Sequence, residues 1–310
     1  MDLLALRYFQ TVARLEHVGR AAEKLRVAQP SLSRTLARLE NELGVPLFDR
    51  HGRRIRLNRF GAAFLRRVDR VLAELDDARQ ELDDAAGWER GTVTVAAESL
   101  LVLTEPVRTF VPGHPLVDVR LSQASAAGMT EKLRSGEVDL CVTSQPLSGN
   151  DIRSRVLLDE PVMLCVPSGH RLAGRRRVGL ADLAGEPFLT TRPGYWQRAL
   201  AEHLFAKAGL ELQIVCEGDE AAVLFQLVDA GLGIAFVPSL GLRADVSTTV
   251  VWLGVDDPEC RRVLSVAWRE DTYLSAAARR FRDHTVEHFR APAEAGPSPK
   301  EGPASGGVTG

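Results

Sequence analysis

The sequence predicts an α/β protein with an all-α-rich winged helix-turn-helix domain at its N-terminus and a two-lobed body behind it. Three observations carry this. Apolar residues recur at helical spacing through the first 43 positions, then give way to two short runs around a glycine. Strand-like and helix-like segments alternate twice after residue 91, the mark of parallel α/β units. Charge is also unevenly placed: the 310 residues carry a net −2, yet residues 1–60 hold 12 Lys and Arg against 6 Asp and Glu. A compact basic module on an acidic body suits a nucleic-acid reader with a separate second part.

Leu3, Leu6, Phe9 and Val12 predict a first helix, and Ala21, Ala22 and Leu25 a short second one over 19–26, where paired alanines allow close approach. Pro30 suits the first turn of a third helix over 30–43, and Gly44 suits its end. Leu32, Leu36, Leu39 and Leu43 form its apolar stripe, leaving Ser31, Arg34, Thr35 and Arg38 to project outward. Such a face fits the major groove, where arginine bonds guanine O6 and N7 together. An ordinary amphipathic surface helix would explain the leucines equally well. Residues 48–57 read as two strands around Gly52, with Arg50, Arg53 and Arg54 at or near the tip to meet phosphates. Asn58 can cap a long helix over 59–87, ended by Gly87. Leu65, Val68, Leu72, Leu75 and Leu82 follow it at 3-4-3-7 spacing, interrupted by Arg79, and predict a dimerisation seam in preference to packing on the chain's own body.

These residues also form a long ordered pattern: Leu6-Arg7-Tyr8-Phe9, Arg20-Ala21-Ala22-Glu23-Lys24-Leu25, Ala28-Gln29-Pro30-Ser31-Leu32-Ser33-Arg34, Leu39-Glu40-Asn41-Glu42-Leu43-Gly44-Val45-Pro46-Leu47-Phe48-Asp49-Arg50, then Leu57-Asn58 and Gly61. The pattern resembles the DNA-binding half of LysR-type transcriptional regulators. It departs from them at Glu16-His17-Val18-Gly19, at Ala28 in place of a frequent Ser, and at Asn58 in place of a frequent Thr. The resemblance implies a cytoplasmic, sequence-specific regulator that binds a twofold-symmetric operator on double-stranded DNA as a homodimer, or as a homotetramer. Its DNA contacts would come from Gln29, Ser31, Ser33, Arg34, Arg38, Arg50, Arg53 and Arg54.

In the body, 91–97, 117–123 and 138–142 predict strands with helices between them. The alternation recurs after Pro161, with strands at 162–166 and 212–216, helices at 196–208 and 221–230, and a buried strand entered by Gly231-Leu232-Gly233. The resemblance extends here, through 133–142 and 227–238, and implies a two-lobed, periplasmic-binding-protein-like effector domain. It places two chain crossings between lobes, at 161–163 and 266–268, and a last helix over 275–289 returning to lobe one. The domains expected are therefore 1–58, a linker and dimerisation helix at 59–90, an effector domain at 91–290 and a disordered, Pro/Gly/Ala/Ser-rich tail at 291–310. Lobe one would be 91–161 with 268–290, and lobe two 162–267. By the family's pattern a small anionic effector sits between the lobes, near Ser99, Ser125, Thr191 and Arg192. Helix N-termini favour carboxylates, although each Ser or Thr would also be explained as a plain N-cap.

Other classes are disfavoured. The N-terminus lacks the basic n-region and apolar stretch of a secretory signal, which argues against a solute-binding protein. No run of about 18 apolar residues suggests a membrane span. The string His284-Thr285-Val286-Glu287-His288 matches a zinc-protease pattern, but downstream only Glu294 and Glu301, in the expected tail, remain as a third ligand. No cofactor or catalytic motif is present. Cys141, Cys165, Cys216 and Cys260 form no CxxC pair and read as core thiols.

Overall fold

The structure, a computed structural model, describes residues 1–51, 54–86, 90–219, 221–240 and 249–290. Of residues 50, 51, 54, 83, 221 and 222 only the backbone is described. The expected tail, Arg53 and Gly87 lie outside the described residues.

The N-terminal module is a helical trio, α1 (Leu3–Leu15), α2 (Val18–Leu25) and α3 (Gln29–Leu43), followed by a hairpin of β1 (Phe48–His51) and β2 (Arg54–Leu57). Each helix is punctuated locally. Asp2 accepts from the Ala5 N–H at 2.7 Å. His17 Nδ1 accepts from the Arg20 N–H at 3.3 Å, so the segment that departs from the family's pattern still caps α2. Gly44 ends α3 in the left-handed region at φ 71°. Leu6, Phe9, Val12, Leu32, Leu36 and Leu39 fill the core, whereas Leu3, first in the expected stripe, stays exposed.

The stretch between α3 and the long α4 (Arg59–Ala85) is tied into one knot. Glu40 Oε1 accepts from the N–H groups of Leu47 at 2.7 Å and Phe48 at 3.3 Å. Asn58 donates to the Pro46 carbonyl at 2.8 Å and accepts from the N–H groups of Phe60 and Gly61 at 2.9 Å, capping α4. At Gly61 an added Cβ would lie 2.0 Å from the Leu47 carbonyl oxygen, so the first turn of α4 approaches that backbone only because no side chain intervenes.

The faces of α4 differ from the expected single seam. Val68 and Leu72 are 2% and 3% exposed and pack, with Leu65 at their side, into the core of their own module. These three are therefore core residues within one chain rather than an intersubunit stripe. Helical spacing identifies an apolar face but not its partner. Leu75 and Leu82 do face outward, together with Phe60 and Val71. A third face meets the body. Ala73 lies where a Cβ on Gly136 would come within 2.3 Å, and Asp84 accepts from the Tyr273 hydroxyl and the Ala276 N–H, both at 2.6 Å.

Lobe one comprises β3 (Gly91–Ala97), α5 (Leu101–Phe110), β4 (Val117–Gln123), α6 (Ala126–Ser135) and β5 (Leu140–Thr143), joined by the first part of β6 (Ile152–Val166). Lobe two contains the end of β6, β7 (Arg177–Val178), β8 (Pro187–Thr191), α7 (Trp196–Lys207), β9 (Gln213–Gly218), α8 (Ala221–Asp229), β10 (Ala235–Pro238) and β11 (Val251–Val255). The chain returns along β12 (Arg261–Arg269), and α9 (Ala276–Arg290) closes lobe one against β3, burying Ala277, Ala278 and Phe281.

The sheet is mixed rather than purely parallel. β3 pairs parallel with β4 and β5, but β12 runs antiparallel to both β5 and β6, as β10 and β11 do to β6. Strand β6 carries the first crossing: residues up to Pro161 pair with β12, and from Val162 onward with β10 and β11. The second crossing lies at Cys260–Arg261, because Arg261 already pairs with Pro161. It therefore precedes the expected 266–268. The apolar alternation of Leu264 and Val266 belongs to lobe one throughout. The break sits instead at the Asp257-Pro258-Glu259 turn, where Asp257 accepts from the Glu259 N–H at 2.8 Å.

Two outcomes follow. Gly61→Ala is expected to destabilise the chain by about 3 kcal/mol, since backbone rather than a flexible side chain must move; urea unfolding measures it. Asp77 faces Asp139 at the α4–lobe one contact, and burial, then Asp139, raise its pKa from 3.8 to about 6. The folded state therefore holds the proton more tightly, and stability falls as pH rises from about 4 to 6. Asp77→Asn is expected to match the parent at pH 4 and exceed it at pH 7 by about 1 kcal/mol, less than full linkage because the carboxyl is only partly buried. Thermal melts across pH check the sign.

Candidate nucleic-acid interface and interlobe cleft

The outward side of α3 presents Gln29, Pro30, Ser31, Arg34 and Arg38 to solvent. Ser33 is half-buried at the edge of that face, and so less available than expected. The two arginines differ. Arg38 is held by Asp2 at 3.2 Å, whereas Arg34 makes no hydrogen bond or ion pair among the described residues. The hairpin backbone is where the sequence places it, with Phe48 opposite Leu57 and His51 opposite Arg54. Arg53 and the side chains of Arg50 and Arg54 lie outside the description.

The four expected effector residues lie on both lobes. Ser125 caps α6, accepting from the Gly128 N–H at 3.4 Å. Ser99 does not cap: α5 begins after Leu100, and the Ser99 hydroxyl is buried without a partner. Thr191, at the end of β8, likewise has a buried hydroxyl without a partner, as does its neighbour Thr190. Arg192 is exposed and pairs with Asp219 at 3.1 Å. The loop after Thr191 reaches lobe one, with the Cβ position at Gly194 only 3.7 Å from the Ser125 Cβ. Ser125 and this loop are thus brought together.

Several residues that sequence reasoning passed over bridge the lobes. Gln145 Nε2 donates to the Gly194 carbonyl at 3.2 Å, and Gln123 Nε2 donates to the Asp219 carbonyl at 2.6 Å. Glu98, 6% exposed, accepts from the Ser144 N–H at 2.8 Å and from Gln145 Nε2 at 2.9 Å, and the Trp196 N–H of lobe two faces it closely enough to pull its pKa down. Burial pushes its carboxyl above the ordinary range, against the downward pull of those donors. The one available signal was an acidic residue directly after the apolar run of β3.

At the crossings, Arg262 of β12 donates through Nε to Glu160 of β6 at 2.7 Å, both about 5% exposed or less. The second Glu160 oxygen accepts from the Ser239 hydroxyl at 2.8 Å and the Leu240 N–H at 2.6 Å. The guanidinium also stands 5.3 Å from the centroid of the Trp196 ring, a cation–π distance.

The remaining sequence candidates have structural roles. His284 hydrogen-bonds Thr109 at 2.9 Å and packs edge-on to Phe110, which makes the zinc-like string part of a docking helix. Cys141, Cys165 and Cys260 are buried, and burial pushes their thiols up, to about 12 for Cys165 and Cys260. Thiols so poorly ionised are weak nucleophiles. Among the described residues no helix is long and apolar enough to cross a membrane.

This architecture matches known proteins along nearly its whole length. Residues 3–62 match the model for bacterial regulatory helix-turn-helix proteins of the lysR family, and residues 86–290 that for the LysR substrate binding domain. The chain is 38% identical to the uncharacterized HTH-type transcriptional regulator YybE of Bacillus subtilis (strain 168), over 93% of this chain and 99% of that one. A full-length OxyR variant from Pseudomonas aeruginosa shares the fold at a TM-score of 0.72 and 24% identity, covering 98% of this chain and 99% of the other. Full-length CbnR in complex with its target DNA superposes at a TM-score of 0.54 with 25% identity, covering 93% and 100%. The chain belongs to the LysR family: it is a helix-turn-helix transcriptional regulator with an effector-binding domain, and not an enzyme.

The crossing pair sets a prediction. Arg262→Ala leaves a buried carboxylate without its cation and is expected to cost about 3–5 kcal/mol. Arg262→Met combined with Glu160→Leu, which removes both charges, is expected to recover most of that loss. Urea midpoints of the two variants decide it, and a double variant no more stable than the single one contradicts the expectation.

Proposed function

We propose that the chain reads a twofold-symmetric operator through α3 and answers to a small anionic metabolite held between its lobes, acting in the cytoplasm. The observation that carries the DNA reading is Arg34: exposed, without a partner among the described residues, and central on the outward face of a helix anchored by Leu32, Leu36 and Leu39. An uncommitted guanidinium there can make the paired bond to guanine without first breaking an ion pair. Gln29 and Ser31 flank it. Arg38 contributes after release from Asp2, and Ser33 takes a smaller part. Arg50, Arg53 and Arg54 of the wing are assigned to phosphates on the sequence pattern alone.

Assembly into a homodimer, and of dimers into a homotetramer, is supported by the apolar face of α4 that its own chain leaves exposed, formed by Phe60, Val71, Leu75 and Leu82. In this reading the seam keeps Leu75 and Leu82 from the expected set and replaces Leu65, Val68 and Leu72 with Val71 and Phe60. Two such modules related by a twofold axis require half-sites spaced by multiples of about 10 bp. For the effector, the buried hydroxyls of Ser99 and Thr191 without partners are the supporting features, one on each lobe. Buried polar groups are ordinarily satisfied, so these two mark positions suited to a polar ligand. Ser125, already a cap, and Arg192, already paired, are second-rank contacts.

Footprinting on DNA upstream of neighbouring genes tests the DNA reading. Arg34→Ala is expected to weaken specific binding by roughly 1–3 kcal/mol and to relax base preference at one position of each half-site. Arg38→Ala is expected to cost less. Unchanged affinity and footprint for Arg34→Ala would overturn the assignment.

A further inference from the structure

The carboxylate of Glu98 lies buried in lobe one beside the loop that enters lobe two's α7. Glu98 follows β3 in lobe one, yet its carboxylate faces the N–H of Trp196, the first residue of α7 in lobe two, and is joined through Gln145 to the loop that leads into that helix. That helix has no side-chain cap from its own N-cap residue, Tyr195. A helix start leaves N–H groups without intrahelical partners and carries a partial positive charge, so it favours an anion. Glu98 meets that demand from across the cleft, while the Ser144 N–H and Gln145 Nε2 hold it from its own side. Gln145 also reaches the Gly194 carbonyl of lobe two, so the carboxylate and its neighbour fasten the same loop. The nearby guanidinium of Arg262 is engaged by Glu160, so backbone and amide donors carry the main part in holding the Glu98 charge.

We propose that Glu98 is a built-in counter-ligand: its carboxylate caps α7 from the opposite lobe and keeps the cleft closed, and an anionic effector acts by taking over those donors. The second half rests on the reading above that the effector is anionic; the first half stands without it. A tethered carboxylate competes at an effective concentration on the millimolar scale. A simple monocarboxylate therefore fails to displace it. An effector succeeds by adding contacts that Glu98 lacks, for which the hydroxyls of Ser99 and Thr191 are placed on the two lobes.

Chemical rescue tests this on the full-length chain, with sodium formate as probe against sodium chloride at equal ionic strength. Amide exchange at the start of α7 and the melting temperature are the readouts. Glu98→Ala is expected to exchange at Trp196 faster by roughly tenfold or more, as befits loss of a charge-assisted hydrogen bond. Formate should restore both protection and melting temperature saturably, while leaving the parent protein unmoved. Glu98→Gln, of equal size, keeps an acceptor oxygen but no charge, and should fall between the two; it supplies the same readout if the alanine variant folds poorly. Unaltered exchange at Trp196 in both variants, or formate stabilising parent and variants alike, would overturn the proposal. Because the assay uses neither DNA nor effector, its outcome is separate from whether an organic acid regulates this protein.

Discussion

Most of the arrangement depends on how one helix divides its circumference. α4 is 27 residues long, roughly 40 Å at 1.5 Å per residue. Val68 and Leu72 complete the core of the DNA-binding module, in one buried cluster with Phe9 and Leu36. A second face, through Ala73, Asp77 and Asp84, lies against lobe one. The third, through Phe60, Val71, Leu75 and Leu82, faces solvent. A helix has room for three such stripes only if each is narrow, which explains why its apolar positions are few. It also fixes the rotation of the reading head relative to the body, because turning α4 to improve one contact breaks another.

The body is organised around the opposite problem, two lobes joined by only two strands. β6 and β12 run side by side through the crossing, and the Glu160–Arg262 pair sits across their register there. A buried ion pair contributes little net stability against a hydrophobic replacement, but it demands one geometry. The strands are thereby pinned to each other at the crossing, while elsewhere the lobes also meet through polar bonds, Gln123 to Asp219 and Gln145 to Gly194, and through the Arg262 guanidinium over the Trp196 ring. A polar contact of this kind exchanges readily for ligand or water, unlike a packed apolar one. A ligand shifts the arrangement only by binding one form better than the other.

The winged helix-turn-helix was legible because its information is local. Caps, a proline at the start of α3, glycine at its end and leucines at helical spacing lie within a few residues of what they determine. Glu40, Asn58 and Gly61 could be recognised as a pattern, but their reason, a knot around Leu47, needed coordinates. The body was legible in its alternation and less so in its connections. The first half of β6 carries Arg153 and Arg155 on an exposed edge and lacks an apolar run to announce it. The second crossing was displaced because β12 stays apolar on one face well past the point where the chain changes lobes. In the cleft, the hydroxyl positions came from a family pattern, whereas Glu98, Gln145 and Arg262 act across more than 45 residues of sequence or between lobes, and spacing carries no trace of that.

Among the described residues, one short helix touches both the interlobe loop and the linker helix. α6 begins at Ser125, against the Gly194 loop of lobe two, and ends at Gly136, against Ala73 of α4. Its ten residues span roughly 15 Å. Gly136 is held at φ 71°, and a Cβ there would overlap Ala73, so glycine is required twice over, by backbone and by contact. Contact without a side chain between leaves no soft layer to absorb displacement, since packed interiors transmit strain. Among the described residues, the end of α6 that meets the cleft and the end that meets the linker helix thus belong to one rigid element. The polar bonds that close the lobes are therefore only one short helix away from the surface that sets where Arg34 points.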